Sequence, residues 1–366
     1  MQQANEGLEA VVRLEAVTKI YPGNPQPALE PLSLEIGRGE FFSILGPSGS
    51  GKTTTLRLIA GFERPDAGRV FIDGAEATAL PPYKRNVNTV FQSYALFPHM
   101  NVAENVAYPL RMAGMEREQR RRKADAALEL VQMTGFGARY PHQMSGGQRQ
   151  RVALARAIVG SPKVLLLDEP LGALDLRLRQ EMQHALVGLQ RDLGITFVYV
   201  THDQGEALSM SHRVAVMDKG VVRQLGAPQE LYFTPRDEFV ARFIGKSNIL
   251  ACEVRAAVGG LVAGLLGLEI PAPGTRPGPA RLCLRFESVQ VLPGAEDAAP
   301  YSAGGLMHLP GNVVDTLFLG NAQEVKVRCS AAEVIAHVAA RRDIGYRPGQ
   351  PVTLAFDPRD TILFHD

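Results

Sequence analysis

A glycine-rich segment of this chain has the residue types and spacing that bind nucleotide phosphates. The pattern G-x4-G-K-[ST] matches Gly46-Pro47-Ser48-Gly49-Ser50-Gly51-Lys52-Thr53. In that pattern the glycines let consecutive backbone N–H groups surround the α- and β-phosphates, and the following helix adds the positive end of its dipole. We expect Lys52 to reach the β- and γ-phosphates and the Thr53 hydroxyl to coordinate Mg²⁺. The alternative is a glycine-rich turn that caps a helix.

Two acidic residues at the end of an aliphatic run could serve phosphoryl transfer. Asp168 and Glu169 directly follow residues 164–167, Val-Leu-Leu-Leu. Acids at the edge of a buried strand cost free energy unless they hold a metal or take part in chemistry. We expect Asp168 to hold Mg²⁺ and Glu169 to orient or deprotonate the attacking water. Taken alone, such a pair more often caps a helix.

A second candidate anion site precedes a helical segment. Ser145, Gly146, Gly147 and Gln148 open a helix that is predicted to start near Gln148 and to continue at residues 149–151. A serine, two glycines and a helix N-terminus together favour an anion. One chain has no need of two separate anion sites, so we infer that each γ-phosphate is held from two sides.

The elements that must position these residues alternate between strand and helix. Residues 40–45 are β-rich, and at residues 53–60 apolar side chains recur at helical spacing. The β-like runs 164–167 and 196–200 flank a helical stretch at residues 175–193, which predicts an α/β domain with a parallel sheet. Residues from about 102 to 159 are rich in helix-forming side chains and form a helical insert.

The sequence changes character near residue 248. Short β-like runs at residues 281–286, 323–329 and 351–356 alternate with Pro/Gly-rich stretches, which predicts a separate all-β module. We therefore predict a nucleotide-binding α/β domain at residues 1–247, with a helical subdomain at about 100–160, and a small β-barrel module at residues 248–366.

Composition excludes several classes of protein. The 366 residues carry 39 basic and 38 acidic side chains, so a net charge of +1 offers no global field for nucleic acid. The run Arg120–Lys123 is flanked by Glu116, Glu118 and Asp125, which favours a solvated helix face.

The longest uncharged apolar run, residues 256–268, is too short to span a membrane, and we predict that it forms two strands around Gly259-Gly260. Residues 1–14 lack the pattern of a signal peptide. Cys252, Cys283 and Cys329 form no CxxC pair, so we expect neither disulfides nor zinc, and a cytoplasmic chain.

Taken together, the motifs resemble those of the nucleotide-binding subunits of ABC transporters. The resemblance covers residues 11 to about 245 and rests on residues 46–53, Gln92, Ser145 to Gln148, Asp168-Glu169, Ala173-Leu174-Asp175 and His202, in that order. It implies a P-loop NTPase fold with a RecA-like parallel sheet, an ATPase activity, and ATP and Mg²⁺ as cofactors. The sequence of residues 85–112 is most similar to the corresponding segment of polyamine (spermidine/putrescine) importer ATPases. The ATPases of iron(III), phosphonate, sulfate and sugar importers share much of this segment.

The resemblance assigns a role to each matching position. Tyr21 would stack on adenine, Asp175 would line a subunit interface, and His202 would hydrogen-bond the γ-phosphate. Gln92 would contact Mg²⁺ or the attacking water. The resemblance thus implies catalytic roles for Lys52, Gln92, Glu169 and His202, metal contacts for Thr53, Gln92 and Asp168, and nucleotide contacts for Tyr21, residues 46–53, Thr54, Ser145, Gly146, Gly147, Gln148 and Asp175. Without the resemblance, the alternatives are that Tyr21 is an aromatic residue of a turn, that Asp175 caps a helix and that His202 has a structural role.

Each motif occurs once, so a two-sided ATP site requires a homodimer or a dimer with a related subunit. The resemblance further implies integral-membrane permease subunits, an indirect extracytoplasmic solute-binding protein, no nucleic acid, and a peripheral place on the cytoplasmic face of the inner membrane. Four residues after Gln92 belong either to the core or to an exposed apolar dock for the permease, and we favour the dock: Tyr94, Leu96, Phe97 and Pro98. Residues 283–287, 318–321 and 357–358 resemble the TOBE-like β module that such importers append. A non-transport ABC ATPase is the alternative class.

Overall fold

The computed structural model describes residues 9–23, 25–172, 174–294, 305–341 and 345–365. They form two compact units that meet in the sequence between Leu231 and Tyr232. The predicted domain boundary after residue 247 lies within the second of these units and stays a prediction.

The first unit contains both strands and helices. Its strands are β1 (Ala10–Lys19), β2 (Leu29–Gly37), β3 (Phe41–Leu45), β4 (Ala67–Ile72), β5 (Ala75–Glu76), β6 (Val87–Val90), β7 (Val164–Asp168), β8 (Thr196–Thr201), β9 (Arg213–Asp218) and β10 (Val221–Gly226). Its helices are α1 (Lys52–Ala60), α2 (Val102–Met112), α3 (Arg117–Leu130), α4 (Gly146–Ile158), α5 (Leu176–Leu193) and α6 (Gln204–Met210), and α7 (Pro228–Phe233) follows. The helical insert is α2, α3 and α4.

A six-stranded sheet carries the candidate site. Its strand order is β10-β9-β3-β8-β7-β6, in which β9, β3, β8, β7 and β6 are parallel and β10 is antiparallel to β9. A separate antiparallel sheet has the order β2-β1-β4-β5. The parallel sheet predicted from the alternating elements is confirmed.

Apolar residues cover both faces of the parallel sheet, because successive side chains of a strand point to opposite faces. Leu166 and Val198 belong to a core that includes residues of α1 and of the antiparallel sheet. Their neighbours Leu165 and Phe197 belong to a second core that includes the helical insert and α5. Burial on both faces explains why residues 164–167 are continuously aliphatic rather than alternating.

The basic run in α3 lies on a solvated helix face, as predicted. Arg121 lies 3.9 Å from Asp125 and Arg122 lies 3.3 Å from Glu118, each pair one helical turn apart and exposed. Exposed pairs of this kind contribute little to stability, about 0.3–0.5 kcal/mol. No helix in the described part of the chain is long and apolar enough to cross a membrane.

The second unit is built almost entirely from antiparallel strands, as predicted. Besides α8 (Glu238–Phe243), it contains β11 (Ser247–Ala257), β12 (Gly260–Leu265), β13 (Leu268–Pro271), β14 (Gly278–Arg285), β15 (Gln290–Pro293), β16 (Met307–Phe318), β17 (Ala322–Cys329), β18 (Ala332–Ala339), β19 (Pro351–Phe356) and β20 (Ile362–His365). They form two five-stranded sheets, β13-β12-β11-β14-β20 and β15-β19-β16-β17-β18, which share one hydrophobic core. Gly259 and Gly260 lie at the turn between β11 and β12. Their φ values of 100° and 142° are rarely adopted by residues with a side chain.

Candidate nucleotide site

Four neighbouring parallel strands end at one edge of the sheet, and each is followed by a predicted site segment. The order across the edge is β3, β8, β7 and β6. The register pairs Leu45 with Thr201, Asp168 with Val200 and Val90 with Leu167, so the carboxyl ends are level. The glycine-rich loop follows β3, His202 follows β8, Glu169 follows β7 and Gln92 comes shortly after β6. Ligands of open α/β sheets bind at this edge.

The glycine-rich loop joins β3 directly to α1. Gly51 caps α1 with a left-handed φ of 98°, and a Cβ at this position would lie 2.7 Å from the Ala28 carbonyl oxygen. Only glycine fits this conformation and this close approach without strain. The buried Ser50 Oγ has no hydrogen-bond partner in the described part of the chain. The loop therefore combines a helix N-terminus with an unsatisfied hydroxyl, a combination that suits an anion.

Lys52 folds back onto the loop. Its Nζ donates to the carbonyl oxygens of Gly46 at 2.9 Å and Pro47 at 2.8 Å. Burial lowers the pKa of Lys52, and the nearby charges of Glu169 and Asp168 oppose that shift. Phosphate oxygens are better acceptors for an ammonium group than neutral carbonyls, so this contact can be exchanged for one with a nucleotide.

Thr53 and Asp168 approach each other across the end of the sheet. Thr53 Oγ1 donates to Asp168 Oδ1 at 3.4 Å. Burial, and next the charge of Glu169, raises the pKa of Asp168. A hydroxyl and a carboxylate oxygen are ligands that Mg²⁺ accepts. The two side chains present therefore fit the predicted metal.

Glu169 and His202 form a side-chain pair beside this edge. His202 Nδ1 lies 3.2 Å from Glu169 Oε1. Glu169 has a left-handed φ of 45°, and its N–H donates to the Val200 carbonyl at 3.0 Å, which ties its main chain to β8. Non-glycine residues in this conformation are concentrated at functional sites, where the surrounding structure maintains them.

Gln92 lies beside the turn that follows Glu169. A Cβ built on Gly172 would lie 3.8 Å from Gln92 Nε2, and Gly172 N donates to the Glu169 carbonyl at 3.2 Å. The structure thus brings Gln92 close to the Glu169 segment. Its contact with a metal or with water stays a prediction.

A cavity of about 360 Å³ adjoins the loop. It is lined by Gln26, Pro27, Ala28, residues 49–54 and Lys219. Of the described residues the lining does not include Tyr21, whose hydroxyl lies 3.5 Å from Thr54 Oγ1. The sequence motifs do not point to Lys219, because it lies more than 160 positions after the loop. The one local signal is the turn Asp218-Lys219-Gly220, whose Gly220 N–H donates to the Ser50 carbonyl at 3.1 Å.

The segment from Ser145 to Gln148 caps a helix. Ser145 Oγ accepts from Gln148 N at 3.3 Å, and Gln148 Oε1 accepts from Ser145 N at 3.0 Å, which is a capping box. The helix therefore begins at Gly146, earlier than the predicted start near Gln148. None of these residues lines the cavity at the glycine-rich loop in the described part of the chain. Within one chain they do not complete that site.

Asp175 caps α5, since its side chain accepts from Leu178 N at 3.0 Å. The predicted interface role of Asp175 is compatible with a cap and stays a prediction. Ala173, which completes the motif Ala173-Leu174-Asp175, lies outside the described residues.

The predicted apolar dock is divided between core and surface. Tyr94 is 7% exposed and belongs to the core around the helical insert, so its assignment to an exposed dock is wrong. Leu96 and Phe97 are half-buried, and Pro98 is exposed. Tyr94 turns inward because the backbone has left-handed φ values of 61° and 45° at Tyr94 and Ala95. The spacing of apolar residues in the sequence does not predict these backbone conformations.

Two known families match this sequence. The family described as "ABC transporter" matches residues 29–172, and the "TOBE domain" matches residues 282–364. The spermidine/putrescine import ATP-binding protein PotA of Rubrobacter xylanophilus is 48% identical over 365 residues, which cover 98% of this chain and 94% of that protein. The protein of the same name from Chromobacterium violaceum is 51% identical over 321 residues, which cover 85% of this chain and 86% of that protein.

Solved structures match the first part of the chain. One is an ATP-binding cassette in a dimeric, post-hydrolysis state bound to ADP and Pi, with a TM-score of 0.54 and 35% identity, covering 59% of this chain and 98% of that one. Another is cbiO1 from Clostridium perfringens, part of the ABC transporter complex cbiONQ, with a TM-score of 0.56 and 30% identity. That match covers 61% of this chain and 90% of cbiO1.

Proposed function

This chain belongs to the ABC transporter family of ATP-binding proteins, and from that premise we propose that it drives the import of spermidine or putrescine through a separate permease. It is an ATPase whose hydrolysis is coupled to transport. We also propose which solute is imported, what single residues do, that Mg²⁺ is bound, which chains form the dimer and where the chain lies at the membrane.

One observation carries the catalytic part of the proposal. The glycine-rich loop, His202, Glu169 and Gln92 follow four adjacent parallel strands at one edge, although Lys52 and His202 lie 150 positions apart in the sequence. A phosphate bound by the loop at the N-terminus of α1 would therefore lie beside a carboxylate and an imidazole. Those are the groups that move a proton and stabilise charge in phosphoryl transfer.

In the proposed reaction Glu169 accepts a proton from water as the water oxygen attacks the γ-phosphorus. The bond from the γ-phosphorus to the bridging oxygen breaks, and ADP leaves with the electron pair. His202 donates a hydrogen bond to a γ-phosphate oxygen, and Lys52 exchanges its carbonyl acceptors for phosphate oxygens. Thr53 and Asp168 would hold Mg²⁺, and the bound ion would neutralise phosphate charge.

The segment Ser145 to Gln148, at the N-terminus of α4, binds the ATP of a second chain. This proposal follows from the exposed start of α4, which adds a helix dipole that the loop of its own chain does not use. The dimeric state of the ADP- and Pi-bound relative supports it. ATP then binds the two chains together, and loss of the γ-phosphate separates them.

Crosslinking tests the shared site. Ser48 lies in the glycine-rich loop, His142 lies three residues before Ser145, and both are exposed. Each is therefore replaced by cysteine in separate chains that carry Glu169→Gln. Cys283 and Cys329 are buried, and burial raises the pKa of Cys329 to about 11, so they are unreactive and remain. Half-buried Cys252 is replaced by serine.

Mixed chains should be joined by a short bismaleimide with Mg-ATP and far less with Mg-ADP. Chains in which Ser48 is the only position newly replaced by cysteine are the matched control and should stay unlinked. Crosslinking that is independent of nucleotide would contradict the shared site.

Half-buried and exposed apolar side chains support a permease dock near the helical insert. Phe91, Phe97, Tyr108 and Pro109 line a cavity of about 320 Å³ together with Arg156. We assign this cavity to an apolar permease segment, which would hold the chain on the cytoplasmic face of the inner membrane.

Uptake measurements test the cargo. Cells that lack this chain should lose uptake of radiolabelled spermidine and putrescine, regain it with the parental chain, and fail to regain it with Glu169→Gln. Uptake of sulfate and of maltose serves as the control and should not change. Unaltered polyamine uptake would contradict the cargo while leaving the ATPase role intact.

A further inference from the structure

An arginine outside the sequence motifs joins two of the segments that carry site residues. Arg179 lies in α5, and its Nη2 donates to the Leu174 carbonyl oxygen at 3.2 Å. Its Nη1 donates to Asp203 Oδ2 at 3.4 Å, and its Nε lies 3.9 Å from Glu206 Oε1. One guanidinium thus connects the segment after β7 with the segment after β8.

The groups that Arg179 contacts are neighbours of the site residues. Leu174 directly precedes Asp175, and Asp203 directly follows His202. In the segment after β7, Gly172 N donates to the Glu169 carbonyl at 3.2 Å and Leu174 N donates to the Leu171 carbonyl at 3.1 Å. The contact of 3.2 Å between His202 Nδ1 and Glu169 Oε1 closes this ring of interactions.

Apart from its contact with Glu169, the His202 side chain is largely exposed, at 60%, so its placement also depends on the main chain beside it. Asp203 is held on three sides. Its N–H donates to Thr201 Oγ1 at 3.0 Å, its Oδ1 accepts from Glu206 N at 3.0 Å, and its Oδ2 accepts from Arg179. Arg179 is the member of this set that reaches across to the Asp175 segment.

Arg179 also lies beside a buried carboxylate, and this alone could account for an arginine here. The Glu206 side chain is 4% exposed, and its Oε2 accepts from Tyr199 Oη at 2.8 Å and Thr201 Oγ1 at 2.6 Å. Burial, and next the Glu206 charge, raises the pKa of Tyr199 well above its usual value, so that hydroxyl remains a donor. A buried carboxylate without a cation nearby would be costly.

Replacing Arg179 with lysine distinguishes two roles of this residue: compensating the charge of Glu206 and linking the segments after β7 and β8. A lysine would keep the positive charge near Glu206, but its single ammonium lacks the planar fork that reaches Leu174 and Asp203 together. Charge compensation therefore survives Arg179→Lys, whereas the link between the two segments does not.

We propose that Arg179 is a positioning residue that ties the His202 segment to the segment carrying Asp175. The inference rests on the proposed function, which gives His202 and Glu169 their roles in hydrolysis.

The test uses the full chain with Arg179→Lys, and Arg177→Lys as the matched control. Arg177 lies on the same helix, is 91% exposed and pairs with Glu181 at 3.3 Å. We expect Arg179→Lys to keep the parental melting temperature and KM for ATP while kcat falls about 10- to 100-fold, the loss that a misplaced catalytic group produces. Arg177→Lys should match the parental chain in all three measurements.

A double-mutant cycle shows whether the loss passes through His202. In a His202→Ala background, Arg179→Lys should lower the residual single-turnover rate by less than about twofold, because the positioned side chain is already absent.

Three results would overturn the positioning role. They are a parental kcat in Arg179→Lys, an equal fold loss in the parental and His202→Ala backgrounds, and a loss that disappears when the rate is normalised to the folded fraction. Glu169→Gln is measured alongside. A parental rate in Glu169→Gln contradicts the proposed function itself, whereas an inactive Glu169→Gln with a fully active Arg179→Lys contradicts the positioning role alone.

Discussion

Glu169→Gln removes one negative charge and preserves the shape of the side chain. The main-chain contacts of residue 169 do not depend on that charge. Its N–H donates to the Val200 carbonyl at 3.0 Å, and its carbonyl accepts from Gly172 N at 3.2 Å. We therefore expect the turn after β7 to persist in the variant, so that a change in rate reports the carboxylate and not the fold.

The expected loss follows from the role of a general base. Removing such a base lowers kcat by roughly 10² to 10⁴, which corresponds to about 2.7–5.5 kcal/mol of activation free energy. Binding of ATP should not weaken. The Glu169 charge raises the pKa of Asp168, and it would also repel phosphates, so its removal leaves Asp168 more readily ionised.

Phosphate release at saturating Mg-ATP gives kcat, and titration calorimetry gives the dissociation constant for ATP. Glu181→Gln is the matched control, because Glu181 is exposed and pairs with Arg177 at 3.3 Å on the surface of α5. The control should hydrolyse ATP at the parental rate. A parental rate in Glu169→Gln, or equal losses of rate and of binding, would refute the assignment.

Three further predictions concern stability and domain organisation. Burial raises the pKa of Asp168 above its ordinary 3.8, so its neutral form stabilises the fold at low pH and this stabilisation is lost as pH rises through the folded pKa. Asp168→Asn should therefore raise the melting temperature of the nucleotide-free chain at pH 8, with the gain vanishing below about pH 4; no gain at pH 8 would contradict this. Tyr94 Oη is buried and has no hydrogen-bond partner in the described residues, so Tyr94→Phe should raise the free energy of unfolding by about 1 kcal/mol in urea titrations. A lower free energy of unfolding would show that this hydroxyl is satisfied. A chain ending at residue 247 should bind Mg-ATP as tightly as the full chain, because the site residues precede that point, and weaker binding by a cooperatively folded chain would contradict the predicted boundary.

Local motifs made much of the site predictable. The glycine-rich loop depends on glycine at a left-handed position, on a strand before it and on a helix after it, and all three are visible within about twenty residues. The same holds for Asp168 and Glu169, since a continuous aliphatic run predicts a strand buried on both faces and its last residues mark the edge. The sequence alone therefore determined the chemistry of each segment and the change to an all-β module.

The tertiary structure decided which segments meet. The strand order β3, β8, β7 and β6 brings Lys52, His202 and Glu169 to one edge of the sheet. Strand order depends on packing between distant parts of the chain, so the apolar pattern within a single segment does not predict it. For the same reason the sequence placed Tyr94 in an exposed dock, whereas left-handed backbone at Tyr94 and Ala95 turns it into the core. Arg179 belongs to no motif, because its contacts with Leu174, Asp203 and Glu206 exist only once β7, β8 and α5 have packed together.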